Sequence, residues 1–250
     1  MTIKQKKALF SVIGIAFWLV IWEVSARILD ISYIYPAFTQ TVAALFKLIL
    51  TGEFYLTVLS SLGRIILGFM LGTVVGIGLG ILSHLSELLC SVIHPFMSII
   101  RATPVASIII ILWFFISKDY IPLVIGLFMV SPIIWQSTYD SLHFKNRELY
   151  EVADIFGLNR RIRLKILVLP TITKYLLPAI VTSSALAWKS GVAAEIITYT
   201  KRSIGYEIAN AKNIYEGADM FAWTATVIIL SVAIEMLIKF IVRRMQSKWG

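Results

Sequence analysis

Apolar residues in this chain gather into six runs, at about 8–29, 59–83, 91–117, 120–141, 172–198 and 221–243, with polar stretches between them. Runs of roughly 20 apolar residues are long enough for a helix to cross a hydrocarbon core of about 30 Å. The pattern predicts an all-α polytopic membrane protein with about six transmembrane helices. The third run is interrupted by Pro95 and Pro104, which predicts an amphipathic turn followed by a kinked span. The fifth carries Pro178 near its start. The first follows Lys4, Lys6 and Lys7 as a signal peptide would, but it is long, holds Trp18, Trp22 and Glu23, and lacks a small-x-small cleavage site. A retained first span is expected. No other stretch is long enough for a separate soluble fold and no internal repeat is visible, so residues 1–250 read as one transmembrane domain, its core at about 55–245.

Composition agrees: 58% of the 250 residues are apolar and only 15% charged, and mean hydropathy is +0.84. A net charge of +9 would suggest nucleic acid for a soluble protein, but here the basic residues flank apolar spans and report orientation instead. With the N-terminus, the 142–171 loop and the C-terminus on one side, that side holds thirteen lysines and arginines against seven opposite; Arg101, Lys174 and Lys189 fall in or at the edge of spans. The richer side should be cytoplasmic, and an even number of spans returns both termini to it. The single Cys90 allows neither an internal disulfide nor a multi-cysteine metal site, and His84, His94 and His143 are too scattered for a ligand set. No catalytic triad and no Gly-x4-Gly-Lys-Ser/Thr loop occurs, so no ATP hydrolysis, metal or cofactor is expected of this chain itself.

Gly68, Gly72, Gly76 and Gly80 recur every four residues in the second run. On a helix they form one slowly winding ridge without side chains, against which another helix can pack backbone to backbone. Ionisable groups inside spans usually face a cavity or a partner. Of these, Glu235 has Lys239 four residues on and reads as a local ion pair, while Glu23 suggests no transport role. Lys189 and Glu195 are six residues apart, about 240° around a helix and about 9 Å along it, so they cannot pair within one straight helix. Each needs another span, a second subunit, water or cargo. Arg101, just before Thr103-Pro104, marks either a hinge or a side chain snorkelling to headgroups.

The polar stretch 143–174 contains Glu151-Val152-Ala153-Asp154-Ile155-Phe156-Gly157, nine further residues, and Leu167-Val168-Leu169-Pro170. Residues 147–157 are expected to form a short helix outside the membrane. Glu148, Glu151 and Asp154 would sit near its N-terminal half, where the dipole favours acids. Ala153 offers a small surface, Gly157 a left-handed stop, and Leu169-Pro170 the start of the next span. A helix lying on lipid headgroups is the plainer reading of such a loop. The spacing, however, resembles the cytoplasmic signature of ATP-binding-cassette importer permeases: Glu-Ala-Ala, three residues, Gly, nine residues, Ile, one residue, Leu-Pro. Glu151, Ala153, Gly157, Leu169 and Pro170 match it, while Val152 and Leu167 depart mildly.

The likeness spans roughly 55–249. Ser61-Leu62-Gly63-Arg64, Leu112-Trp113-Phe114, Ala187 to Glu195 and Ser203-Ile204-Gly205-Tyr206 are similar to the nitrate/sulfonate/taurine branch. The resemblance implies a type I importer permease fold with a coupling helix within 147–158, acting through Glu151, Ala153, Asp154, Gly157, Leu169 and Pro170. It implies an ATPase subunit in two copies, an extracytoplasmic solute-binding protein, a second copy of this chain, and a cell-membrane location. It also sets the fifth span beside the pathway, which makes Lys189, Glu195 and Trp188, with Arg101 and Pro104, the candidate lining; a structural lock at Lys189 or Glu195 is the competing reading. Cargo would be a small solute, either an anion such as nitrate, a sulfonate or taurine, or a vitamin precursor. A stand-alone secondary transporter or channel is the alternative, although matching halves are lacking.

Overall fold

The computed structural model describes residues 3–143, 151, 153 and 155–249. Among the described residues there are helices, turns and loops and no strand. The principal helices are α1 (Ile3–Leu29), α2 (Phe38–Ile49), α3 (Gly52–Leu85), α4 (Glu87–Ala102), α5 (Val105–Trp113), α6 (Ile121–His143), α7 (Leu169–Thr198), α8 (Ile204–Asn213) and α9 (Gly217–Trp249). Helices α1, α3, α6, α7 and α9 are each long and apolar enough to cross a bilayer. The third apolar run is instead a pair, α4 and α5, bent by 101° at the break between them.

The bend has a local cause. Thr103, before proline, is extended at φ −80° and ψ 129°, as the pre-proline clash demands. Pro104 has no N–H to continue the ladder, so helix restarts only at Val105. Pro95 does not break α4; it and Ser91, whose carbonyl loses its donor, both lie on the exposed side. The interruption expected at two prolines is therefore confined to one.

Two helices fall outside the six apolar runs. Helix α2 is tied to α1: Glu23 accepts from the Thr39 N–H at 3.0 Å and from its hydroxyl at 2.9 Å, while Trp22 Nε1 donates to the Pro36 carbonyl at 3.0 Å. Glu23, also paired with Arg27, thus satisfies first-turn groups of α2. Helix α8 starts at Ser203, whose hydroxyl accepts from the Tyr206 N–H at 3.0 Å, an N-cap.

Helix α6 is the axis of the bundle, with α3 on one side and α7 on the other. Its contact with α3 follows the glycine ridge. A Cβ added at Gly68 would stand 2.4 Å from the Leu123 carbonyl oxygen, at Gly72 2.8 Å from Val130 Cβ, at Gly76 2.7 Å from Ile134 Cβ, and at Gly80 2.6 Å from Thr138 Cβ. Apolar burial drives no association between helices already in lipid, so this close van der Waals fit supplies the attraction. Trp135 closes the same seam, its Nε1 donating to Ser83 Oγ at 2.9 Å in the interior. The main apolar cluster joins Val58 and Ile65 of α3, Val130 and Ile134 of α6, Trp188 and Val192 of α7, Ile204 of α8 and Trp223 of α9. Across α6 and α7, Ser137 donates to the Tyr175 carbonyl at 2.7 Å, one turn before Pro178. Over Val12–Leu29, α1 stays almost wholly exposed, and it is bonded to the following loop near its C-terminal end.

Candidate functional site

The polar segment ahead of α7 closes on itself. Glu151, Ala153 and Ile155 are helical, while Glu148 and Asp154 lie outside the described residues. Gly157 takes φ +61°, and the Leu158 N–H returns to the Ala153 carbonyl at 3.0 Å. That six-to-one bond with a left-handed residue inside it is a Schellman stop. A Cβ at Gly157 would meet nothing within 4 Å, so glycine is required there by backbone conformation and not by space. Arg163 ties the turn down, Nε donating to the Leu158 carbonyl at 2.9 Å and NH2 to that of Ala153 at 3.4 Å. Ala153 is 2% exposed, whereas Ile155 and Phe156 are 82% and 75% exposed. Two large apolar side chains thus project from a polar loop, the kind of exposure that marks a contact surface.

Asn159 then opens a short helix, Arg160–Arg163, its Oδ1 accepting from the Ile162 N–H at 2.9 Å. A π-helical stretch, Leu164–Val168, runs directly into α7. Leu169-Pro170 therefore opens α7, as its sequence suggests, with the π-helical stretch leading into it without a break. The wider turn accommodates Pro170, which lacks a donor and whose ring crowds the preceding carbonyls.

At the far end of α7 lies a buried polar node. Glu195 is 0% exposed. Its Oε2 accepts from Ser61 Oγ of α3 at 2.9 Å and from the Gly205 N–H of α8 at 3.3 Å. Ser61 Oγ also accepts from the Ile204 N–H at 2.9 Å. The Arg64 guanidinium stands 3.6 Å from Oε1 and donates to the Arg202 and Lys201 carbonyls at 3.2 and 3.3 Å. Gly205 is needed here for closeness, because a Cβ would fall 2.4 Å from Glu195 Cβ.

The other pathway candidates separate by exposure. Lys189, Arg101 and Pro104 are exposed. Trp188 is buried, its Nε1 donating to the Val227 carbonyl of α9 at 3.1 Å. Lys189 and Glu195 occupy different faces of α7, and no ion pair joins them among the described residues. Glu235 pairs with Lys239. His84 and His143, distant in sequence, meet edge to face with ring centroids 6.5 Å apart. Among the described residues no group of three or more His, Cys, Asp or Glu is placed to hold a metal ion.

Residues 72–248 match the family model described as the binding-protein-dependent transport system inner membrane component. The chain belongs to this family. It is thus a multi-pass inner-membrane permease of the ATP-binding-cassette importer type, and its family implies ATPase and solute-binding partners. Among its relatives, an aliphatic sulfonates transport permease protein of Bacillus subtilis is 26% identical over 232 residues, covering 92% of this chain and 83% of that one. A taurine transport system permease protein of Escherichia coli is 24% identical, over 76% and 70% of the two chains. A nitrate import permease protein of Leptolyngbya laminosa is 26% identical, over 74% and 66%.

Sequence reasoning found Glu195 but not its partners Ser61, Arg64 and Gly205. Arg64 alone in an apolar run was a usable signal. It also passed over Ile155 and Phe156, whose exposure depends on where the Schellman turn closes.

Proposed function

We propose that two copies of this chain form one translocation pathway for a small anion, driven by two copies of a separate ATP-hydrolysing subunit. That subunit docks on residues 147–158 of each copy, with Glu151, Ala153, Asp154 and Gly157 shaping the contact, and Leu169 and Pro170 passing its movement into α7. The observation that carries the reading is the closed turn at Gly157, which presents Ile155 and Phe156 to a partner while Ala153 stays inside. Both termini and the docking segment are cytoplasmic, and residues 1–250 act as one transmembrane domain.

A solute-binding protein delivers cargo on the opposite side. Closure of the ATPase pair draws the two docking segments together and tilts the spans between two packings, each partner biasing the same equilibrium. Exposed Lys189, with Arg101 and Pro104 at the bend, faces the pathway, and Trp188 and Glu195 form the wall behind it. An exposed lysine at membrane depth suits an anionic cargo, in keeping with the sulfonate, taurine and nitrate named for the relatives. The test is uptake by vesicles carrying the permease with Gly157→Val or Glu151→Lys. Uptake should vanish with the permease still in the membrane. Undiminished uptake and ATPase binding in both variants would refute the docking assignment, and uptake driven by an ion gradient without ATP would favour a secondary transporter.

A further inference from the structure

The node around Glu195 does more than fill space. A fully buried carboxylate paired with a half-buried guanidinium is a costly staple, since well-packed apolar residues of the same volume usually hold helices at least as firmly. Here the pair is joined to a backbone that is itself strained. Tyr199 and Arg202, neither of them glycine, take φ values of 51° and 52°, a conformation that persists only where its surroundings over-determine it. Those surroundings can be followed bond by bond. The Thr200 N–H returns to the Glu195 carbonyl at 3.2 Å, and Thr200 Oγ1 lies 2.7 Å from Thr198 Oγ1 and donates to the Lys118 carbonyl at 3.1 Å. Ser203 Oγ donates to the Thr200 carbonyl at 2.7 Å, and Arg64 takes the carbonyls of Lys201 and Arg202. The result fastens the 199–203 loop and the start of α8 to α3, to α7 and to the loop before α6. The side chains of Lys201 and Arg202 remain exposed.

The connection on the other side is one helix. Glu195 lies in the last turn of α7, and the first turn of α7 holds Leu169 and Pro170; the helical path runs back through the π-helical stretch to Arg160–Arg163, where Arg163 is bonded to the Leu158 and Ala153 carbonyls of the docking turn. Thirty helical residues span about 45 Å, so the loop sits at one end of a rod whose other end leads to the docking turn held by Arg163.

We propose that Glu195 is a positioning residue: with Ser61, Arg64 and the Gly205 N–H it clamps the 199–203 loop to α7, so that movement of the ATPase-docking end is transmitted to the extracytoplasmic face. This rests on the docking reading above. By linkage, the same clamp passes the effect of loading at the outer face back to the ATPase. A clamp that served folding alone would leave this transmission untouched once the protein had folded.

The test uses the assembled transporter, permease with its ATPase subunits, in liposomes. Cys90, the only cysteine, is changed to serine, and Tyr199→Cys supplies a reporter at a half-exposed position of the loop. Its labelling by a membrane-impermeant maleimide is timed without nucleotide and again after trapping with ATP and vanadate. In the parent the rate should change at least threefold between the two states. Glu195→Gln, nearly isosteric but uncharged, should reduce that change to below 1.5-fold, whereas Glu195→Asp should keep part of it. Should Glu195→Gln not accumulate, the doubly neutral Glu195→Gln/Arg64→Gln, which leaves no buried charge unpaired, carries the same expectation. A full threefold response in the neutral variants, whatever their melting temperature, overturns the proposal. Failure of the docking reading looks different: ATPase subunits would not remain with the parent permease, or no nucleotide-dependent change would occur even with Glu195 intact.

Discussion

Gly76 and Gly78 lie two residues apart on α3 and separate packing from propensity. A Cβ at Gly76 would stand 2.7 Å from Ile134 Cβ and 2.8 Å from the Ser131 carbonyl oxygen, whereas one at Gly78 meets nothing within 4 Å. Ordinary contact begins at 3.4 Å, so Gly76→Ala falls short by 3.4 − 2.7 = 0.7 Å against a β-carbon and backbone that cannot swing aside. The neighbouring glycines pin α3 to α6 above and below, which leaves no room for a local tilt. Overpacking of this kind costs about 1–3 kcal/mol. Alanine also gains roughly 1 kcal/mol over glycine within a helix, but that gain is common to both variants and cancels in the comparison. Gly78→Ala should therefore be neutral or slightly stabilised, and Gly76→Ala should lie about 1–3 kcal/mol below it. At roughly 2–4 °C per kcal/mol for a chain of this size, thermal denaturation in detergent followed by circular dichroism resolves the gap. A Gly76→Ala protein melting at or above Gly78→Ala would refute the ridge as the contact between α3 and α6.

Further outcomes follow from other sites. Trp135→Phe removes the buried bond to Ser83 and should cost about 1–3 kcal/mol, read by the same melts, while Ser83→Ala/Trp135→Phe should recover part of it. Gly157→Ala forces a left-handed alanine into open space, at about 1–2 kcal/mol; uptake should fall measurably but less than with Gly157→Val, and equal uptake in all three proteins would contradict the turn's role. Glu207, half-buried on α8 in a pocket of about 320 Å³ with Glu53, Glu216 and Asp219, has its carboxyl pushed up by burial and by the charge of Glu53. The folded protein thus holds this proton to higher pH than the unfolded chain, so its contribution is fully present below the ordinary carboxylate value and lost as pH rises through the raised one. Glu207→Gln should flatten the melting-temperature profile above about pH 4; an unchanged profile would contradict the raised titration of Glu207.

Hydrophobic length told most of the architecture. Five of the six runs locate α1, α3, α6, α7 and α9, and the third covers the bent pair α4 and α5, because a membrane crossing is written in composition alone. Two things escaped that pattern. Helices α2 and α8 are too short and mixed to register as spans; they exist because Glu23 and Ser203 satisfy their first-turn N–H groups. The second run was placed at 59–83, yet α3 starts at Gly52 after the Thr51 cap, since helix continues beyond the apolar stretch wherever a cap permits. At the site, the motif around Glu151 and Gly157 was legible as spacing, and the left-handed glycine follows from the chain locally. The companions of Glu195 were not, because Ser61 and Arg64 are more than 130 residues away and only the close approach at Gly205 brings α8 onto them. Leu169-Pro170 does begin α7, but the π-helical stretch leading into it cannot be inferred from a lone proline.

The enclosure of α6 bears on biogenesis. Its inward residues include Ser131, Thr138 and Ser141, and Gln136, Ser137 and Asp140 add to a polar character that lipid tolerates poorly. One flank is made by α3, already translated when α6 leaves the ribosome; the other is made by α7, which begins 26 residues after α6 ends. Between those moments α6 has half a coat, and Ser137 lacks the Tyr175 carbonyl it will bind. Nascent chains stopped before α7 should accordingly stay with insertion chaperones and fall to membrane proteases, and release should begin once that second flank has been synthesised.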